Sequence, residues 1–263
     1  MNRYYKYSLL ILLFTTLTVY SQSDTLDNGE NRFLSLNHWL RSYPHHIMIG
    51  VENGFLKNQS SLKLIAGVSA VLISSNFDDD IVSNVKGKPF LAPTLSKQAD
   101  NFGKSFGWGY FAGVGFITLE SLVSKNNMDE YFSKIELVLE SIAVTQIITQ
   151  TLKTTVNRQR PNFSDNHSFP SGHTSSVFAL AASMNGIYGW KVGVPAFICA
   201  SIVGAQRISS SSHYLSDVLS GALIGLLVGN GFSEIHRDGN SIQPIFRIDQ
   251  KTSSVGAQLI IVF

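Results

Sequence analysis

The chain has one cysteine in 263 residues, Cys199, so no disulfide can close within it. It has no CxxC pair and no Cys/His spacing of the zinc-finger kind, which excludes the small metal-stapled folds. Glycine-rich nucleotide loops are missing as well. Charged residues are only 14% of the chain and the formal net charge is +2, so no bulk basicity points to nucleic acid. Uninterrupted apolar runs stop at roughly 12 to 16 residues, short of the ~20 that span a bilayer. What remains is a weakly charged chain, 44% hydrophobic and long enough to bury one sizeable core. Cys199 falls in the apolar run from Val194 to Val203, which reads as the place of a buried, inert thiol.

The first 21 residues have the layout of a secretory signal peptide. Arg3 and Lys6 give a positive start, Ser8 to Tyr20 is a short apolar stretch, and Val19 and Ser21 suit cleavage before Gln22. The alternative is an anchor that is never cut. The expected destination is the cell envelope on its periplasmic side. Residues 22–60 form an N-terminal segment, with Phe33, Leu36, Trp39 and Leu40 at helical spacing ahead of Pro44. His45 and His46 are adjacent, so they point to different faces and do not share a metal.

Residues 61–235 read as an all-α helical bundle of about six helices. These run Leu62–Ser75, Phe102–Val123, Met128–Thr154, His173–Tyr188, Val192–Gln206 and His213–Phe232. Asp78-Asp79-Asp80 reads as a solvated loop. Residues 84–101, with Gly87, Pro89 and Pro93, read as a long loop placed to cover a site. Pro195 is expected in the first turn of its helix, where no donor is lost. Glycines recur at Gly103, Gly107, Gly109, Gly113 and Gly115, and again at Gly221, Gly225 and Gly229, which lets helices approach closely as they do in membrane bundles. A membrane-associated bundle is the favoured reading, and a soluble periplasmic bundle is the close alternative. In the tail, 236–263, two β-rich runs flank Asp249 to Ser254, the pattern of a C-terminal β-hairpin.

Three short motifs between Lys153 and Asp217 carry the chemistry. Lys153 is followed after six residues by Arg160-Pro161. Pro170-Ser171-Gly172-His173 precedes an apolar helical run. Arg207 is followed by His213 six residues on and by Asp217 four after that. Arg160 and Arg207 offer planar, bidentate donors that stay charged, and Lys153 adds a point charge. Ser171, Gly172 and His173 sit where a helix start leaves backbone N–H groups for an anion, and glycine lets that anion come close. His213 and Asp217 share one helix face, so the carboxylate can hold one ring nitrogen and leave the other free to attack. This is equipment for gripping a phosphate and cutting it from an alcohol.

Together the motifs resemble those of the type 2 phosphatidic acid phosphatase family, which shares its site with the vanadium haloperoxidases and the bacterial class A acid phosphatases. One position departs: Gln206 stands where the family usually has Ser before the arginine. The resemblance implies a metal-independent phosphatase with no cofactor. It assigns His213 as the nucleophile that forms a phosphohistidine, Asp217 as its orienting group, and His173 as acid to the alcohol and then base to water. It assigns Lys153, Arg160, Ser171, Gly172 and Arg207 to phosphate binding. The expected partners are a phosphorylated lipid or a small phosphate ester and a membrane surface. A soluble nonspecific acid phosphatase is the alternative, with a vanadium haloperoxidase behind it. His38, His167 and His236 match no motif position and read as surface or structural.

Overall fold

Small residues decide how this chain closes on itself. The computed structural model describes residues 36–104, 107–124, 128–237, 242–249 and 254–261; the expected signal segment lies outside them. Among the described residues are nine helices where about six were expected: α1 Leu36–Phe55, α2 Asn58–Ser75, α3 Asp78–Val85, α4 Pro93–Gly103, α5 Trp108–Ser124, α6 Met128–Val156, α7 Gly172–Tyr188, α8 Trp190–Ser209 and α9 Leu215–Arg237.

At the centre, α7 presents buried Ala179, Ala181, Ala182 and Ser183 and packs against α6, α8 and α9. The glycine stripe of α9 faces it. A Cβ on Gly221 would stand 2.5 Å from the Ser171 carbonyl oxygen, so here the two backbones touch and only glycine fits. Around this contact Val144, Ile224, Val228, Phe232 and Ile235 form one buried cluster, and Ile117, Val138, Leu180 and Met184 belong to another.

The extra helices correct specific expectations. Pro44 lies inside α1 rather than ending it, and Gly50 and Gly54 beyond it press on Phe232 and Leu227 of α9, so packing carries the helix past the proline. Asp78, Asp79 and Asp80 are not a solvated loop but the first turn of α3, where carboxylates favour the helix dipole, and Asp78 is buried. The supposed loop 84–101 contains most of α4, with Pro93 as a helix starter rather than a breaker. Pro195 lies inside α8, because Gly189, at φ 71°, lets that helix begin at Trp190. Cys199 is exposed, not buried, on the surface of α8, as Val194 and Ile198 are too.

That outer surface is apolar elsewhere too, with Leu62, Ile65, Leu72, Phe111 and Leu119 exposed. Among the described residues three helices are long and apolar enough to cross a membrane: α6 over Glu130–Val156, α8 and α9. The number rises to five if α2–α3 and α4–α5 each count as one bent span. Counting uninterrupted runs missed them because a polar residue need not face lipid. Gln146 breaks the run in α6, but its side chain turns inward to the Ser176 hydroxyl. In the tail, Ile242–Asp249 pairs antiparallel with Ser254–Ile261, Ile242 opposite Ile261.

Candidate active site

The C-terminal ends of α6 and α8 and the N-terminal ends of α7 and α9 meet at one end of the bundle. The eight residues picked from the motifs all lie there. Lys153 is buried at the end of α6 and donates to the carbonyls of His167 (2.7 Å) and Pro170 (2.5 Å), which fixes the loop leading into α7. Ser171 is the N-cap residue of α7. Its N–H bonds the Asp217 carbonyl at 3.0 Å, and its hydroxyl lies 2.9 Å from that of Thr174. Gly172 opens the helix. A Cβ there would meet only Lys153 and Thr149, at 3.5 and 3.7 Å, so the bundle itself does not demand glycine at this point.

His213 lies in the turn before α9 and is 2% exposed. Its Nδ1 is 2.7 Å from the Ser168 carbonyl oxygen, and its Nε2 is 3.0 Å from Nη1 of Arg160. A carbonyl only accepts and a guanidinium only donates. The partners therefore fix the tautomer: Nδ1 carries the hydrogen and Nε2 presents a lone pair toward Arg160. Burial first, and then the charges of Arg207 and Arg160, push this imidazole down to about 4, so the neutral form is the resting one.

The Asp217 carboxylate stands 3.7 Å from His213 Nδ1, farther than the Ser168 carbonyl. The (i, i+4) argument applies inside a helix, and α9 starts only at Leu215, so the pair straddles its beginning. Asp217 instead accepts from the Ser168 hydroxyl and from the Tyr214 N–H (3.0 Å), and thereby holds the residue that holds His213. Its other oxygen takes Arg158 at 2.7 Å. Arg158 also binds Asp78 of α3 at 2.9 Å and stacks over Tyr214, 3.9 Å from the ring centroid. Asp78 in turn accepts from the Ser216 N–H at 3.0 Å. Arg158, Asp78 and Ser168 were not singled out from the sequence, although Arg158 stands two residues before Arg160 in the first motif.

Opposite His213, Arg207 comes down from α8. Its Nη1 bonds Asp100 of α4 at 2.5 Å and the side-chain oxygen of Gln206 at 3.2 Å. Gln206, the departure from the family pattern, is buried and also reaches Ser96 of α4 at 3.4 Å, so it braces Arg207 and ties α8 to α4. His173 Nε2 is 3.8 Å from the same Asp100 oxygen, and among the described residues it has no hydrogen-bond partner. Burial first, and then the Arg207 charge, push His173 down to about 3. Arg160 is held by Asp165 at 2.8 Å and reaches the Ser212 carbonyl at 3.1 Å. The pocket thus gathers three cations and two imidazoles. Its carboxylates Asp100, Asp165 and Asp217 are each already engaged by an arginine. Such a set suits an anion, not a metal ion.

The region that carries these residues has known relatives. Residues 136–240 match the model of the PAP2 superfamily. The lipid A 1-phosphatase of Porphyromonas gingivalis is 40% identical over 80 residues, which cover 29% of this chain and 18% of that protein. Lipid phosphate phosphatase 2 of Arabidopsis thaliana is 28% identical over 147 residues, covering 40% of this chain and 51% of that one. The match thus spans about a fifth of the length of the first relative and about half of the second. The crystal structure of a transmembrane PAP2 type phosphatidylglycerolphosphate phosphatase from Bacillus subtilis is similar over 76% of this chain and 96% of that one, at 18% identity and a TM-score of 0.48. All three motifs fall inside the matched residues, so the stretch that carries them is the part of the chain similar to the PAP2 superfamily.

Proposed function

We propose that this chain hydrolyses a phosphate monoester or pyrophosphate carried on a lipid, at a membrane face outside the cytoplasm, through a phosphohistidine. The observation that carries the reading is the state of His213. One nitrogen is occupied by the Ser168 carbonyl, and the other offers its lone pair beside Arg160.

In this reading Lys153, Arg160, Arg207 and the N–H groups at the start of α7 neutralise the non-bridging oxygens. The absence of a packing reason for glycine at Gly172 supports a ligand-side reason there, the close approach of phosphate. His213 Nε2 attacks phosphorus as the P–O bond to the alcohol breaks, and His173 gives its proton to the departing oxygen. A water then attacks the phosphohistidine, gives its proton to His173, and inorganic phosphate leaves. Burial and the Arg207 charge keep His173 neutral near pH 7. A bound dianion favours its protonated form, so substrate binding itself helps to charge the acid.

The lipid part rests on shape and surface. A groove of about 380 Å³ runs between α5, α7 and α8, lined by Phe102, Gly113, Phe116, Val177, Ala181 and other apolar side chains. Val177 is one turn beyond His173, and Phe102 adjoins Gly103, where an added Cβ would come 3.3 Å from the His173 ring. An acyl or prenyl chain in this groove brings its headgroup to the cations. The exposed apolar face of the bundle and the printed activities of the two curated relatives support the same class.

The test is phosphate release by the purified protein in detergent micelles. The panel comprises phosphatidic acid, phosphatidylglycerol phosphate, a polyprenyl pyrophosphate and a lipid A phosphate, with nitrophenyl phosphate as the soluble comparator. At least one lipid is expected to exceed the comparator in kcat/KM. Release from none of them would overturn the reading, and release from nitrophenyl phosphate alone would overturn its lipid part.

A further inference from the structure

A second polar cluster lies along α6 and α9, away from the phosphate site. Glu140 precedes Lys153 by 13 residues on α6, roughly 20 Å along the axis. Its buried carboxylate is met by two imidazoles from other helices. Oε1 stands 3.2 Å from Nδ1 of His46 in α1, and Oε2 stands 3.2 Å from Nε2 of His236 in α9. The ligand atoms these three residues offer all lie within 4.8 Å of one another.

Two further groups point to a cation. Glu136 lies one turn before Glu140 on the same face of α6. One of its carboxylate oxygens is buried and, among the described residues, takes no hydrogen bond. The nearby Lys134 is committed to Glu120 and Glu130, both at 2.8 Å. Ser133 places its hydroxyl 3.1 Å from His236 Nδ1. That contact suits an imidazole whose Nδ1–H donates outward and whose Nε2 lone pair faces the cluster, the usual support of a metal-bound histidine. Two carboxylates sharing a buried site repel each other, whereas a divalent ion beside them brings the charge of the group to zero.

We propose that His46, Glu140 and His236 bind a divalent transition metal, with the Glu136 carboxylate one helical turn away adding negative charge, and that zinc suits this set best. Imidazole and carboxylate oxygen are zinc ligands, and donors around a tetrahedral zinc stand roughly 3.4 Å apart at bond lengths of ~2.1 Å. The two 3.2 Å pairs are already near that separation. His45 takes no part; His46 finds its partners on α6 and α9. The ion would staple α1 to the bundle, in a setting where buried ionisable groups within candidate membrane spans mark function more often than packing. The site takes no part in phosphate chemistry.

The test uses the full chain purified without a histidine tag, incubated with ZnCl2, dialysed and analysed for metal by mass spectrometry. About one zinc per chain is expected in the wild type and in His213→Ala, whose change lies at the other site, and little in His236→Ala or Glu140→Gln. Cobalt loaded in place of zinc should give the visible d–d bands of a tetrahedral site in the wild type and His213→Ala, and not in His236→Ala or Glu140→Gln. If a variant fails to fold, the wild type still decides: EDTA should lower its Tm, and stoichiometric Zn2+ should restore it. A folded wild type that retains no metal, gives no cobalt bands and does not respond to chelation would overturn the proposal. So would zinc retained in full by a folded His236→Ala.

Discussion

Replacing Asp100 by Asn should make the site bind anions more tightly and turn them over more slowly. Asp100 holds Arg207 at 2.5 Å, and a phosphate must share that guanidinium. Two anions on one guanidinium stand roughly 5–6 Å apart, and at an effective dielectric constant of ~20 each charge pair costs about 3 kcal/mol. The Asp100 side chain is 29% exposed, so solvent screening removes about half of that. The remaining ~1.5 kcal/mol per phosphate charge corresponds to roughly tenfold for a monoanion and up to ~100-fold for a dianion. Vanadate inhibition, measured in competition with nitrophenyl phosphate at fixed ionic strength, reads this directly: Ki should fall by about 10- to 100-fold. Asp100 also favours the proton on His173, 3.8 Å away, so hydrolysis of an alkyl phosphate should slow in the same variant. A Ki unchanged within about twofold, or raised, would refute the reasoning, because the carboxylate would then have left the site before the anion arrived.

The two histidines should separate by leaving group. His213→Ala should lose every substrate. His173→Ala should lose roughly 10²–10⁴-fold on lipid or alkyl phosphates but far less on nitrophenyl phosphate, and rapid quench should show a nitrophenolate burst. Retention of nitrophenyl phosphate hydrolysis by His213→Ala would swap the roles. Arg158→Met leaves buried Asp78 and Asp217 without their shared cation and should cost about 2–4 kcal/mol of stability, read as a lower Tm together with reduced kcat. An unchanged Tm would mean that these carboxylates find other partners. His213 and His173 are depressed in the folded chain, to about 4 and about 3, from an ordinary 6.5. Their contribution to stability is therefore full above pH 6.5 and is lost as the pH falls toward those values, where only the unfolded chain gains protons readily. Thermal melts between pH 7 and 4 should show Tm falling with acid, and less steeply in His213→Gln; a flat profile would contradict the depressed values.

The motif residues were legible because each sits at a fixed distance along the chain from the next. Lys153, Arg160, His173, Arg207 and His213 were picked out by spacing, residue chemistry and the family resemblance of the three motifs together. Their supports could not. Asp78 lies 138 residues before Ser216, and Asp100 lies 107 before Arg207, so only the folded chain pairs them. Two local signs were available: three acids in a row suit the first turn of a helix, and Pro93 suits the start of one. Reading those stretches as loops hid α3 and α4, and with them the carboxylates that reach the site. The structure adds a partner that spacing did not show between Asp217 and His213. Helical spacing was applied across a helix start, where Ser168 from another segment comes closer to His213.

The exposed thiol on α8 gives the chain a native chemical reporter. Cys199 lines the apolar groove together with Phe102 and Val177, and it is the one cysteine in this sequence. A maleimide can therefore mark that wall without any engineered site or background labelling. An apolar maleimide should reach the thiol when the groove is empty and react more slowly when a long-chain phosphate fills it. Inorganic phosphate, which has no chain to lay there, should leave the labelling rate unchanged, so alkylation kinetics would distinguish occupation of the groove from occupation of the cationic pocket.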